Sequence, residues 1–487
     1  MLERYESVIG LEVHTHLRTE SKLFSPSPVR YGDEPNHDVH PIDLGMPGVL
    51  PVLNERVVDL AIRLGLATHS TVHTHSVFAR KNYFYPDLSK GYQISQYEEP
   101  VVSNGWIEIE VAAEAGTSVR KRIGITRAHL EEDAGKSIHD TAVAGRDGTH
   151  IDYNRAGVPL LEIVSEPDLR SAEEAGAYLR ALRQILRYLD VSEADMEKGQ
   201  FRCDANVSIR PRGSSELGTR TELKNINSFR FVEEAILAEI ERQAALLDEG
   251  GRVQQATMAY DPGTGRTHVL RLKEDANDYR YFPDPDLIPL AIAPERIEAV
   301  RAELPELPDA RRARLESELG LSSQDVAQLV ATRSLADFFE AALATYGNAK
   351  VLANWVLRDL LQALNERECE VADTKITPES LSGLLVLVDD GRLTVRSARE
   401  LVPVLVDSGG APETLMRERG LEAVSDVAEL EAIVDTVIAA NVDIAEKIRD
   451  GDDKPLNALM GQVMKQTQGK ANPGEVRALL ATRLRGA

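Results

Sequence analysis

Carboxylates recur on one side of short segments that read as strands. Glu12, His14 and His16 alternate with Leu11, Val13 and Leu17, a period of two that puts the polar trio on one face with about 7 Å between successive side chains. Asp204, Asn206 and Ser208 oppose Cys203, Ala205 and Val207 in the same way, and Arg220, Glu222 and Lys224 oppose Thr221 and Leu223. Glu162 stands inside the apolar run Leu160-Leu161-Glu162-Ile163-Val164, where a buried carboxylate needs a cation or hydrogen-bond donors. Glu131-Glu132-Asp133 adds three adjacent acids beside Gly135-Lys136. A hard divalent cation such as Mg²⁺ takes oxygen ligands and keeps several waters, so carboxylates from separate strands together with substrate phosphates would suit one. Phosphoryl transfer is the natural use. For any single segment a solvated or ion-paired acidic face is the commoner outcome, by roughly three to one. The coincidence of several lowers those odds. His14 alone reads as an ordinary strand histidine, and Glu162 alone as a buried pair with Arg155 or Arg170.

Arg80-Lys81-Asn82-Tyr83-Phe84-Tyr85-Pro86-Asp87, followed by Lys90-Gly91-Tyr92, packs cations and aromatics into what reads as a turn-rich loop. Such a mixture suits phosphates and a nucleobase, and equally a structural loop held by cation-π contacts. Asp278-Tyr279-Arg280-Tyr281-Phe282-Pro283 has the same character. Two motifs carry no weight. Gly135-Lys136-Ser137 resembles the end of a phosphate-binding loop, but Leu130 stands where its first glycine must be. Asn206-Val207-Ser208 matches a glycosylation acceptor, and nothing in the sequence directs the chain to a secretory compartment.

The elements that must position these residues follow from length and pattern. A chain of 487 residues exceeds what one core serves, so two to four domains are expected. With 43% hydrophobic and 28% charged residues and no apolar run near the roughly 18 residues a membrane helix needs, it reads as a soluble cytoplasmic protein that does not enter a membrane. Cys203 and Cys369 are the two cysteines, far apart and outside any Cys-x-x-Cys spacing, and read as reduced thiols. The net charge of −23 requires any nucleic-acid partner to be met by a local basic surface or through metal ions.

The fold class expected is α+β. Strand alternation and long helices mix before residue 293: Ser171 with Glu174 forms a capping box for a helix with the stripe Tyr178, Leu182, Ile185 and Leu189, and a second helix runs from Ser228 to Gly250. The proline-rich stretch from Phe282 to Pro308 is a connector. Residues 294–406 read as helical, with Leu352, Val356 and Leu360 on one face. A break at Asp407-Ser408-Gly409-Gly410-Ala411-Pro412 opens a small helical domain over 407–487, with stripes at Val427, Leu430, Val434, Val437 and at Leu456, Leu459, Met460, Val463, and a last helix capped by Asn472-Pro473-Gly474-Glu475.

Eight segments resemble the B subunits of the tRNA-dependent aspartyl/glutamyl amidotransferases: Val8 to His14, Pro47 to Val52, Arg80 to Asp87, Tyr92 to Gln96, Leu130 to Lys136, Glu162 to Asp168, Arg202 to Asn206 and Tyr279 to Pro283. The resemblance implies a heterotrimeric carbon-nitrogen ligase. Its amidase-type A subunit hydrolyses glutamine and its C subunit is small. The B subunit uses ATP and Mg²⁺ to phosphorylate the side-chain carboxylate of Glu-tRNA(Gln) or Asp-tRNA(Asn), from which ammonia displaces phosphate. The resemblance further implies a mixed-sheet cradle domain, a helical domain and a tail like the YqeY fold that grip the misacylated tRNA. The family's metal ligands match Glu12, His14, Glu132, Asp204 and Glu222, with Glu132 also a catalytic candidate. Lys81, Lys90 and Glu162 match residues near the reaction centre or the ammonia route. Arg202, Lys224 and Arg280 are assigned to phosphate on charge and position. For the tail, Lys454, Lys465, Lys470, Arg477, Arg483 and Arg485 face the single acid Glu475, which makes Lys465, Lys470 and Arg477 candidates for the tRNA backbone.

The competing reading from another class is a non-catalytic tRNA-binding module that positions substrate for a partner enzyme. A self-sufficient glutaminase using Cys203 is disfavoured, because Cys203 falls on the apolar side of its strand. Some relatives carry four zinc-binding cysteines in segments that here read Ser25-Pro26-Ser27 and His40-Pro41-Ile42-Asp43. These positions lack thiolates, so no structural zinc is expected; elemental analysis of purified protein should find it below stoichiometric amounts, and one zinc per chain would contradict this.

Overall fold

The computed structural model describes residues 4–112, 118–138, 148–272, 279–423, 427–449, 455–467 and 469–485. Asp278, Lys454 and the side chain of Val427, singled out from the sequence, lie outside them. The chain divides into two compact units, Met1–Leu307 and Pro308–Ala487.

Nine strands form the sheet of the first unit: β1 (Tyr5–His16), β2 (Thr71–Val72), β3 (Val102–Ala112), β4 (Ser118–Glu132), β5 (Pro159–Ser165), β6 (Phe201–Pro211), β7 (Thr221–Ile226), β8 (Ala256–Asp261) and β9 (Arg266–Leu272). Their order is β9-β8-β7-β6-β1-β5-β4-β3-β2. Neighbours run antiparallel except for β7 and β8, which are parallel. Alternation sorts the strands as the pattern of Glu12, His14 and His16 implied. Leu11, Val13, Ala205, Val207, Leu161, Ile163 and Leu223 are buried in one core with helices α1 (Glu55–Ala67), α2 (Ala172–Tyr188) and α3 (Phe229–Asp248). The alternate residues of β1, β5 and β6 are therefore left for the opposite face.

Both long helices start where a side-chain acceptor was expected. The Ser171 side chain accepts from the Glu174 N–H and that of Ser228 from the Phe231 N–H. The box at Ser171 is only half formed. The Glu174 carboxylate accepts from the Arg170 N–H at 2.6 Å and from Lys121 Nζ at 2.7 Å instead of reaching the cap residue itself. The expected loop at Arg80 is partly a strand: Ala79–Asn82 pairs with Tyr92–Ser95 and with Phe282–Pro283 in a three-stranded sheet. Ala79, Lys81 and Asn82 are poor strand formers by themselves, so pairing with Tyr92–Ser95 and Phe282–Pro283 supplies what propensity does not. Helix α4 (Pro294–Ala302) buries Val300 in the sheet-domain core, with Ile297, Leu304 and Leu307 packed against it. The first unit thus runs past residue 293 to Leu307, because prolines end helices and strands without ending side-chain packing.

Helices fill the second unit, and the one strand-like pairing among its described residues is the bridge Leu393–Glu422. Leu352, Val356 and Leu360 are buried as expected, although Trp355–Leu360 winds as a π-helical turn between two α-helical pieces. The helix Val395–Ser408 stops at Gly409, whose φ of +67° is easy only for glycine. The helix beyond, Pro412–Glu418, still puts Met416 into the same core as Leu329 and Leu401. A separate core joins Leu430, Val434 and Val437 to Leu459, Val463 and Leu480.

One buried carboxylate ties α3 to the sheet. Glu239, fully buried, accepts from Thr221 Oγ1 (2.7 Å), Gln243 Nε2 (2.9 Å), Thr267 Oγ1 (2.8 Å) and both Nε (2.9 Å) and Nη2 (2.7 Å) of Arg242. Burial opposes its charge, but the donors of Arg242, Gln243 and Thr221 outweigh it and hold the carboxyl below the ordinary value of 4.5. A depressed folded value means that its stabilisation is complete above pH 4.5 and is lost as pH falls through the folded value. Glu239→Gln is expected to cost about 2 kcal/mol at pH 7. In denaturant titrations, the gap between variant and wild type should hold down to pH 4.5 and close below it; a gap undiminished at about pH 3 would remove this account.

Candidate active site

The polar face of the sheet collects side chains that are distant in sequence. Antiparallel register sets Glu12 opposite Asp204, His14 opposite both Arg202 and Glu162, Glu162 opposite His129, and Asn206 opposite Glu222. Two groups of potential metal ligands result, Glu12 with Asp204 and Glu222, and His14 with Glu131 and Glu162. Within each group the donor atoms lie within 4.8 Å of one another. Between β6 and β7 the register shifts by one residue beside Asn225, which takes a φ of +61°. Asparagine tolerates that conformation. Lys224 then reaches Asp204 with a short ion pair and Glu222 Oε1 at 3.2 Å.

A cavity of about 360 Å³ opens on this face, lined among others by His14, Lys81, Glu131, Arg202, Asp204 and Lys224. The small sheet walls one side of it: Ser95 Oγ donates to Glu131 Oε2 at 3.2 Å and Gln93 Nε2 to the Glu132 carbonyl at 2.8 Å. So much negative charge in one place must be compensated. Burial first, then the charges of Glu162, Asp204 and Glu222, push the Glu12 carboxyl above its ordinary range, and Asn206 Nδ2 donates to Glu12 Oε1 at 3.0 Å. Glu162 has histidines on both sides, with Nε2 of His14 at 3.2 Å and of His129 at 3.4 Å from its Oε2. Burial disfavours the charge on His129, yet Glu162 and Glu131 outweigh it and push the imidazole up to about 9. Glu162 goes the other way: burial would raise it, and the two histidines hold it well below the carboxylate range.

Arg202 donates from Nη2 to Asp133 Oδ2 at 2.8 Å, an oxygen also met by His16 Nε2 at 2.7 Å and Arg155 Nε at 3.4 Å. Its own Nε is buried without an acceptor among the described residues. Burial of Lys81 works against its charge, which Glu131 more than restores, and its Nζ sits 5.1 Å from the Tyr279 ring centroid and 5.8 Å from that of Tyr83.

Of the residues expected from the sequence, Glu12, Asp204 and Glu222 come together, and His14 joins Glu162. Glu132 joins neither group. It lies across the strand from Glu131, ion-paired with Lys90 and accepting from the Ile94 N–H at 2.9 Å. Glu131 takes its place beside His14, and the signal was present: Glu131 is two residues from His129 on β4 and shares its face, whereas Glu132 has the parity of the buried Leu130. Arg280 is exposed, lies outside the cavity lining, and its carbonyl accepts from Asn82 Nδ2 at 2.8 Å. Arg80 is engaged by Asp284 and Asp286 and stacks on Tyr92 at 4.2 Å. Cys203 is buried on the core side, and burial, then Asp204 and Glu12, push its thiol well up, which leaves no nucleophilic thiolate. Gly135-Lys136-Ser137 enters a strand pair, Lys136–Ile138 with His150–Asp152, and not the helix a phosphate-binding loop needs. In the second unit, Lys465 and Arg477 are exposed on the helices Leu456–Gln466 and Pro473–Arg485, with Lys470 partly buried between them. Arg483 is paired with Glu431 at 2.9 Å and Asp435 at 3.4 Å.

Residues 7–298 match the family model of the GatB/GatE catalytic domain and residues 337–484 that of the GatB domain. Full-length similarity is equally clear. The chain is 52% identical to the B subunit of the aspartyl/glutamyl-tRNA(Asn/Gln) amidotransferase from Geobacter sulfurreducens, over 99% of this chain and 100% of that one. It is 53% identical to the B subunit from Alkalilimnicola ehrlichii over 99% of both chains, and 50% identical to that from Syntrophotalea carbinolica over 100% of both. With two clustered carboxylate sites on one sheet face, both family domains in order and half of all residues shared along its whole length, the chain belongs to the family of aspartyl/glutamyl-tRNA(Asn/Gln) amidotransferase B subunits.

Proposed function

We propose that the chain is the ATP-dependent activating component of a tRNA-dependent amidotransferase, a carbon-nitrogen ligase that works in the cytoplasm. The γ-phosphoryl group of ATP passes to the side-chain carboxylate of Glu-tRNA(Gln) or Asp-tRNA(Asn): a new P–O bond forms to the carboxylate as the bond to the departing ADP breaks. Ammonia then attacks the acyl carbon and inorganic phosphate leaves, giving Gln-tRNA(Gln) or Asn-tRNA(Asn). The observation that carries this reading is the pair of ligand clusters, Glu12/Asp204/Glu222 and His14/Glu131/Glu162, on one sheet face at a cavity that also holds Lys81, Arg202 and Lys224.

The donor set fits Mg²⁺. Three carboxylates crowd together in the first cluster, and burial together with the charges of Glu162, Asp204 and Glu222 pushes Glu12 upward. Glu12, Asp204 and Glu222 would hold one cation, and His14, Glu131 and Glu162 offer a second set. A bound divalent cation supplies charge compensation for phosphoryl oxygens. Arg202, with a buried Nε that lacks an acceptor among the described residues, and Lys224 present donors to anionic oxygens of the nucleotide. Lys81, kept charged by Glu131, orients the acceptor carboxylate. Lys90 and Glu132, paired behind strand β4, are assigned to the ammonia route. Ammonia comes from an amidase-type A subunit, and a small C subunit makes up the heterotrimer. Lys465, Lys470 and Arg477 serve the tRNA backbone.

Two variants separate catalysis from mere tRNA positioning. In the assembled heterotrimer supplied with ammonium, Asp204→Asn and Glu222→Gln should each lower ATP-dependent amidation at least about 100-fold. The Kd for misacylated tRNA should stay within about twofold. EDTA should abolish the wild-type reaction and excess Mg²⁺ restore it. Undiminished amidation in either variant would refute the cation assignment, and amidation without added ATP would refute the activating role.

A further inference from the structure

Five tyrosines make a continuous ladder leading away from the cavity. Tyr83, in its lining, meets Tyr279 edge-on at 5.8 Å between centroids; Tyr279 meets Tyr281 at 6.2 Å; and Tyr281 stacks on Tyr97 at 4.1 Å with the rings only 7° from parallel. Tyr85 closes the other end against Tyr83 at 6.0 Å. Lys81 lies over Tyr83 and Tyr279 at the inner end, beside Glu131. The outer end is open: Tyr97 is 47% exposed although its partner ring is partly buried. A flat ring stacked on one side and bare on the other is a platform that any nucleobase can extend.

The occupant follows from the reaction geometry, so this inference rests on the activating role proposed above. Attack on the γ-phosphorus is roughly in line, with the acceptor carboxylate and the departing ADP on opposite sides. Lys224, a donor suited to a polyphosphate, bridges Asp204 and Glu222, whereas the ladder leaves from the Lys81 and Glu131 side. That is the acceptor side. The acceptor carboxylate is joined by a short carbon chain and an ester to the terminal ribose of its tRNA, so the terminal base must lie just outside the cavity on the same side. We propose that Tyr97, backed by Tyr281, stacks the base of the 3′-terminal nucleotide of the misacylated tRNA and so holds the acceptor end at the mouth of the cavity.

The test uses the assembled wild-type complex and its Tyr97→Ala and Tyr97→Phe variants, with ATP and misacylated tRNA varied separately and ammonium as nitrogen donor. Tyr97→Ala should raise KM for the misacylated tRNA about tenfold. Its kcat and its KM for ATP should stay within about twofold of wild type. Tyr97→Phe, which keeps the ring face, should behave as wild type. A binding measurement with tRNA lacking its 3′-terminal nucleotide adds a readout that a merely structural tyrosine would not move: wild type should lose affinity for the truncated tRNA, and Tyr97→Ala should bind intact and truncated tRNA alike. A raised KM for ATP with an unchanged KM for tRNA would overturn the proposal in favour of the adenine of ATP, and unchanged values for both would remove the platform altogether. Absence of ATP-dependent amidation in the wild-type complex would instead defeat the activating role, an outcome independent of Tyr97.

Discussion

A slip of one residue between β1 and its neighbours would turn Glu12 and His14 into the apolar core and push Leu11 and Val13 out beside Asp204 and Glu162. The period of two makes that exchange all-or-none. Burial of Leu11, Val13, Ala205, Leu161 and Ile163 against the helices therefore fixes, by the same contacts, where every carboxylate of the opposite face points. Glu12 lies opposite Asp204 and His14 opposite Glu162 because the core would otherwise be lost. The site is the reverse side of the hydrophobic pattern, and its rigidity is that of a central strand hydrogen-bonded on both edges.

Such a face accumulates charge, and the structure balances it locally. Asp133 is enclosed by His16, Arg155 and Arg202, which hold its carboxyl far below the usual range although burial opposes this. Glu162 is flanked by His14 and His129, and Asp204 and Glu222 share Lys224. What is left concentrated is the group Glu12, Asp204 and Glu222, where burial and then the neighbouring carboxylates push Glu12 upward. An overall charge of −23 thus coexists with a site that presents both carboxylates and cationic donors. The same local pairing operates in the tail, where Arg483 is drawn to Glu431 and Asp435. The basic excess over the tail is accordingly smaller in space than in sequence, although Lys465, Arg477 and Arg485 are exposed along with the paired Arg483.

Local rules read the elements well where one side chain or one period decides them. Ser228 and Asn472 accept from the first turns of their helices, the stripe at Leu459 and Val463 is buried, and the strand faces of Glu12 and Asp204 point as alternation required. They failed where a remote partner decided. Arg80 became a strand residue because Ile94 pairs with it on one side and Phe282, two hundred residues away, on the other, and the first unit absorbed helix α4 because Val300 found room in a core the sequence could not display. At Ser171 a neighbouring N–H competed for the Glu174 carboxylate and won.

For the site, alternation along single strands determined which residue types share a face, since the Cβ direction is set by each residue's own backbone. That alone named Glu12, His14, Asp204 and Glu222. It could equally have preferred Glu131 to Glu132, because Glu131 shares the parity of His129. Only the tertiary structure decided which faces meet. Register across β4, β5, β1, β6 and β7 is fixed by packing between strands up to two hundred residues apart, and no local term in the sequence encodes it. That register split the expected ligands into two groups, put Glu131 beside His14 and left Glu132 with Lys90, while Arg280, outside this sheet, is not in the cavity lining.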